Sequence, residues 1–158
     1  MNKKNILILT ISFFTILLSG CEKKKVVIDE FHQPEGFAVY QSNYQNRSPN
    51  RAISSDGVVY RIRKQRNDPV AKLSFWKEAL KKRMIDTGYF FVRESNISTE
   101  KQKGYLLELT APYGEQDYSY MIGIFVKGDE IVIAEATGEI LRFKKHRKQI
   151  IAAIKKIK

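Results

Sequence analysis

The sequence predicts an α+β domain: one antiparallel sheet, ordered hairpin, helix, four-strand meander, helix, with two amphipathic helices packed on it. Three observations carry this. Apolar residues recur at three- and four-residue spacing in two segments, about 69–86 and 138–157. Six other stretches are rich in Val, Ile, Tyr and Leu and are bounded by turn residues. The connections among the last four are shorter than a parallel crossover, which needs a dozen residues or more, so those neighbours must pair antiparallel.

The hairpin comes first. Ala52-Ile53 and Val58-Val59-Tyr60-Arg61-Ile62-Arg63 flank Ser55-Asp56-Gly57, where a glycine suits a tight turn. Val58, Tyr60 and Ile62 fall on one face, and Val59, Arg61 and Arg63 on the other. Asn67-Asp68-Pro69 then reads as a helix start, with Asp68 able to accept from free amides and Pro69 at the first helical position. Leu73, Trp76, Leu80 and Met84 make the apolar stripe of a helix over about 69–86, and Gly88 closes it by its ease in the left-handed conformation. Strands are expected at 89–97, 104–111, 118–127 and 130–137, joined by residues 99–103, by Pro112-Tyr113-Gly114-Glu115-Gln116-Asp117 and by Lys127-Gly128-Asp129. In the last helix, 138–157, Ile140, Phe143, Ile150, Ile154 and Ile157 form the stripe. Its remaining faces are basic, through Arg142, Lys144, Lys145, Arg147, Lys148, Lys155, Lys156 and Lys158. This order of elements, over about residues 51 to 157, resembles the PsbP-like/DcrB-like fold of several small exported or membrane-tethered proteins. The likeness rests on element order without a diagnostic motif, so it implies a fold and no activity.

Ahead of the domain, Lys3 and Lys4 precede an apolar run from Ile6 to Leu18 and the small residues Ser19-Gly20. This is the layout of a secretory signal peptide, and the run is short of the roughly 20 residues that span a bilayer. Leu18-Ser19-Gly20-Cys21 resembles the bacterial lipobox, and the chain's one cysteine occupies its cysteine position. The resemblance implies that residues 1–20 are removed, that the Cys21 thiol carries a diacylglyceryl group, and that the new amino terminus is acylated. Two or three acyl chains hold a protein stably on a membrane, whereas one binds reversibly. An uncleaved N-terminal anchor is the alternative, and it exports the domain equally. The resemblance places the protein in the cell envelope, facing the periplasm or the cell exterior. Glu22, where aspartate would signal inner-membrane retention, favours the outer membrane in a Gram-negative cell.

Residues 21–50 read as a lipidated cysteine and a largely irregular tether. Glu22-Lys23-Lys24-Lys25 form a charged stub, and Pro34, Gly36, Pro49 and the polar run 41–48 interrupt any period. Residues 51–158 are one domain. The chain has 28 Lys and Arg against 17 Asp and Glu; loss of Lys3 and Lys4 with an acid-free signal leaves 26 against 17, or +9. Such a charge draws a protein to anionic lipid or to an acidic envelope polymer, although general solubilising charge explains it too. Export removes the chain from nucleic acid.

Little in the sequence points to catalysis. His32 and His146 are the only histidines and the cysteine is committed to lipid, so neither a metal site nor a thiol nucleophile is expected, and no cofactor. No nucleophile elbow occurs, and the nine glycines are too dispersed for a phosphate loop. Glu108 and Glu135 lie within strands, where solvation on a wet sheet face is the expected environment. Two surfaces are candidates for a partner. Tyr113, Tyr118 and Tyr120 gather around one loop, near Tyr105 and Tyr89-Phe90-Phe91, a composition that suits interfaces and sugars but that sheet packing accounts for more often. The basic last helix, with Lys144, Lys145, Arg147 and Lys148, suits anionic lipid or an acidic protein, or is simply a solvated face. The expected function is a membrane-anchored, non-catalytic binding or assembly module. The alternatives are a pilot lipoprotein escorting a secretion or envelope subunit, and an envelope enzyme working with carboxylates alone.

Overall fold

The alternation in residues 58–63 places Val58, Tyr60 and Ile62 inside and Arg61 and Arg63 on the opposite face, and a computed structural model describing residues 31–39 and 50–158 shows this arrangement. The chain order is β1 (Phe37–Val39), β2 (Arg51–Ser54), β3 (Val59–Arg66), α1 (Leu73–Asp86), β4 (Phe90–Ser98), β5 (Lys103–Tyr113), β6 (Gln116–Lys127), β7 (Glu130–Glu139) and α2 (Ile140–Lys155). The strands form one sheet in the order β1-β2-β3-β7-β6-β5-β4, antiparallel throughout. The fold is thus α+β, and the last four strands are a meander whose final member pairs with β3.

Strands β5, β6 and β7 are apolar on both sides, so both faces of the sheet need covers. On one face Tyr60, Ile62, Leu106, Met121, Phe125 and Ala134 pack with Phe143, Ile150, Ala153, Ile154 and Ile157 at the C-terminal end of the chain. On the other, Tyr105, Leu107, Leu109, Ile122, Ile124 and Ile133 meet Leu73, Trp76, Leu80 and Met84 of α1. The two covers differ in depth. Helix α2 buries four side chains completely, whereas none in α1 is fully buried.

Polar pins compensate along α1. The Trp76 indole donates to Asn67 Oδ1 at 2.7 Å, and Glu94 on β4 accepts from Lys81 Nζ at 2.8 Å and from the Tyr105 hydroxyl. These hydrogen bonds, led by the one from Lys81, hold the Glu94 carboxyl down at about 2. Helix α2 is capped by Glu139, whose carboxylate accepts from the Leu141 and Arg142 amides at 2.9 and 3.3 Å. The β2–β3 turn is tied to α2 as well: Asp56 Oδ1 accepts from Ser54 Oγ at 2.6 Å and lies 2.8 Å from His146 Nε2.

Four expectations shift. The fold starts before Arg51, because Phe37–Val39, read from sequence as tether, pairs with β2, and Phe37 is buried with its ring edge-on to His146. Helix α1 starts at Leu73 instead of 69. Asp68-Pro69 is a cis peptide in the loop before it, and the buried Asn67 organises that loop by bonding Ala71 and Gly128 as well as Trp76. The connection 112–117 contracts to a tight hairpin, with β5 running to Tyr113, β6 starting at Gln116 and Gly114 at φ 62°. Ile140, assigned to the buried stripe, is exposed at the first turn of α2. Cys21, its lipobox, the stub 22–25 and residues 40–49 of the tether lie outside the described residues.

The margins of the sheet are unequal. β1 is three residues long, while β4 carries exposed Phe90, Phe91 and Val92 with a bulge between Phe91 and Arg93.

Gly104 on β5 leaves room for the Phe125 ring of β6, which occupies the space that a Cβ would take. Gly104→Ala forces that buried ring or the strand to move, and we expect a loss of about 1–3 kcal/mol, the usual cost of overpacking a core. The urea midpoint should fall with an unchanged denaturant slope; a midpoint equal to wild type would contradict this packing.

Candidate functional site

Helix α1 covers β4, β5, part of β6 and Ile131 and Ile133 of β7 but leaves open the end of its face where Val59 and Arg61 of β3 lie beside Glu135 and Thr137 of β7. Glu135 of β7 sits in that open region, in register with Arg61 of β3 and Ile122 of β6. Its Oε2 accepts from Arg61 Nε at 2.6 Å and Arg63 Nε at 3.2 Å, and its Oε1 from the Tyr120 hydroxyl at 2.7 Å. Glu135 is only 6% exposed. Burial pushes its carboxyl up, but the bonds from Arg61 and Tyr120 and the two guanidinium charges outweigh burial and hold it below the ordinary carboxylate range. The Tyr120 hydroxyl is pushed up, first by burial and then by the Glu135 charge.

Tyr120 joins this cluster to a groove. On alternating positions of the β5–β6 hairpin, Tyr113, Tyr118 and Tyr120 share the α1 face, and with Tyr89, just after α1, they line a hollow of about 530 Å³. Tyr113 and Tyr118 meet edge to face at 5.8 Å between centroids, and Tyr89 and Tyr120 lie tilted to each other at 5.4 Å. Tyr113 is 76% exposed at the rim. A second hollow of about 250 Å³, lined by Arg51, Val59 and Arg61, shares Tyr120 and Thr137 with the first. A third, about 480 Å³, runs between α1 and the sheet past Trp76, Arg83 and Arg63 and shares Glu135. Aromatic faces and guanidinium groups thus follow one another along a single surface, with Glu135 as the acid among them.

The sheet's other face holds a second buried acid. Glu108, 9% exposed, accepts from Arg93 Nε at 2.7 Å and Nη2 at 3.0 Å, and from Arg147 Nε at 2.9 Å and Nη2 at 2.6 Å. Burial raises its carboxyl and the two guanidinium groups more than reverse that, so the net shift is downward. The expected solvation of both acids is therefore corrected: each is buried, and each is matched by two arginines. Glu108 is in register with Met121 and Glu135 with the next residue, Ile122, which puts the two carboxylates on opposite faces of the sheet. They share no pocket. Among the described residues no three His, Cys, Asp or Glu side chains gather as a metal ion would require.

Tyr113, Tyr118 and Tyr120 come together as the sequence suggests, whereas Lys144, Lys145 and Lys148 are exposed on α2. Arg147 differs from those lysines, being turned inward onto Glu108. The groove also includes Arg51, Arg61 and Arg63, which sequence reasoning did not select. Their signal was the placement of Arg61 and Arg63 on the face opposite Val58, Tyr60 and Ile62; what gave it meaning was the pairing of β3 with β7.

Comparison with known proteins supports the fold alone. No family model and no curated protein matches the sequence. Among solved structures, the chain is similar to PA94, a protein of unknown function from Pseudomonas aeruginosa, with a TM-score of 0.56 and 11% identity over 62% of this chain and 69% of that one. It is also similar to PsbP (CyanoP) from Synechocystis sp. PCC 6803, with a TM-score of 0.50 and 9% identity over 77% of this chain and 81% of that one. The fold therefore resembles the PsbP-like one, in agreement with the order of elements.

Replacing Glu108 by Gln removes the charge that Arg93 and Arg147 share and should cost about 1–3 kcal/mol at neutral pH, reduced from the fully buried case because both arginines are partly exposed. Because the folded carboxyl lies below its unfolded value, its contribution is complete above the ordinary carboxylate range and is lost as pH falls through the folded value. Glu108→Gln should accordingly flatten the acid limb of a stability–pH curve. Parallel limbs for the two proteins would show that Glu108 is not ion-paired.

Proposed function

We propose that this protein is a lipid-anchored envelope protein whose domain binds an acidic glycan polymer of the envelope without catalysing its breakdown. The observation that carries the binding role is the groove lined by Tyr89, Tyr113, Tyr118 and Tyr120, continuous through Tyr120 with Arg51 and Arg61. Tyrosine rings offer flat apolar faces and a polar edge against which sugars stack, and guanidinium groups suit carboxylates. Anchoring rests on Leu18-Ser19-Gly20-Cys21 and the signal-like segment before it. No helix among the described residues is long and apolar enough to cross a membrane; under this reading the acyl chains at Cys21 attach the domain. The non-catalytic character is supported by the separation of Glu108 and Glu135, which removes the pair that an enzyme working with these carboxylates would use.

Two measurements test the two halves. Cys21→Ser should move the protein out of the diacylglyceryl-labelled fraction, and a labelled mature band persisting in that variant would end the anchoring reading. Co-sedimentation with isolated peptidoglycan sacculi should weaken about five- to tenfold for Tyr113→Ala and for Tyr118→Ala, typical of aromatic anchors at a binding surface. Retention that is equal for wild type and both variants would end the glycan reading.

A further inference from the structure

The outward side of α2 is a surface apart from the groove. Leu141, Lys144, Lys145, Lys148, Ala152, Lys155 and Lys156 follow at three- and four-residue spacing, and all are exposed. The inward side holds Phe143, Ile150, Ala153 and Ile154, and Arg147 is committed to Glu108. No Asp or Glu occurs within α2. The acids close by are few: Glu139 caps the helix, Asp56 faces His146 and Arg142, and Glu35 lines a hollow with Lys148 and Lys156. Helix α1, on the opposite face of the sheet, mixes Lys82 with Asp86 and Lys77 with Glu78.

We infer that the outward stripe of α2 lies against an anionic phospholipid bilayer. Five lysines in one row, with Leu141 and Ile140 exposed at its start, match a surface of negative headgroups with apolar matter just beneath. The chain enters on this side: Phe31 stacks on Tyr60 beneath the α2 layer, and Gln33, Pro34 and Glu35 run beside the helix. Cys21 is ten residues before Phe31, so a fully extended chain keeps the two within about 35 Å. The inference rests on anchoring at Cys21 for nearness to the bilayer. Its consequence is orientation: with α2 on the membrane, the tyrosine groove on the opposite sheet face points away from it.

The test uses the full-length gene product, purified from membranes and reconstituted in vesicles of phosphatidylcholine alone or mixed with phosphatidylglycerol. An environment-sensitive fluorophore is placed at Ala152→Cys in the α2 stripe, or at Glu78→Cys on α1 as the control. Emission at position 152 should shift to the blue only with phosphatidylglycerol, revert at high salt, and be lost in the combined Lys144→Glu, Lys145→Glu, Lys148→Glu protein. Emission at position 78 should be the same in both lipids. Identical emission at 152 in both vesicles, or an equal shift at 78, overturns the inference and leaves an acidic protein as the partner of the stripe. Failure to float with neutral vesicles would count against the anchor alone, since the emission of protein bound to anionic vesicles still decides the orientation.

Discussion

Everything in this fold follows from a sheet that is apolar on both sides and has two helices of unequal reach to cover it. Removing apolar surface from water is the dominant favourable term in folding, at roughly 25 cal/mol per Å². A sheet with two such faces therefore demands two layers. Helix α2 meets that demand by sending four side chains fully into the core, and α1, shorter and only half sunk, does not. The uncovered part of the α1 face is where the composition changes. Arg61, Arg63, Gln65 and Thr137 replace the Ile and Leu found under the helix, and Tyr120 bridges the two regimes, its ring against Tyr89 and its hydroxyl on Glu135. The groove is thus a direct result of how far α1 extends.

The two glutamates show how such a sheet tolerates charge. An ion taken out of water costs several kcal/mol unless partners replace its hydration. Glu108 finds one arginine from the neighbouring β4 and one from α2, Glu135 finds two from the neighbouring β3, and the remaining lone pairs are taken up by bidentate contacts or by Tyr120. One negative charge between two positive ones leaves each cluster with an excess of one cation. Part of the protein's net positive charge is in this way fixed at two buried acids, separate from the loose lysines of α2.

Local sequence carried the periodic elements well. The alternation of residues 58–63, the stripe of Leu73, Trp76, Leu80 and Met84, and the four short-linked strands from β4 to β7 all sit within a residue or four of their expected limits, because periodicity and turn chemistry are local properties. What could not be read was set by distant pairing. Phe37–Val39 has no pattern in three residues and becomes a strand only because β2 offers it an edge. Glu135 looks like a solvated strand residue until β3 arrives, 74 positions earlier in the chain, with Arg61 opposite it. The start of α1 was misplaced for a local reason: Asp68-Pro69 has the chemistry of a helix start, yet Asn67 uses its amide to bind Ala71, Gly128 and Trp76 and so holds the chain out of helix for several residues more. Of the candidate groove, the three tyrosines were legible and the arginines were not.

The two ends of the strand array bear on how copies of this protein coexist. An unpaired strand margin invites a matching one from a neighbour, and natural proteins guard against it with short strands or local kinks. Here, among the described residues, one margin is only three residues long, and the other, which carries Phe90 to Val92, is broken where Val92 has no opposite number on β5. A bulge of this kind twists the backbone and interrupts the regular ladder of donors and acceptors. Greasy side chains can therefore stand at that border without presenting a straight template for ribbon-like self-assembly, even where many molecules are packed side by side.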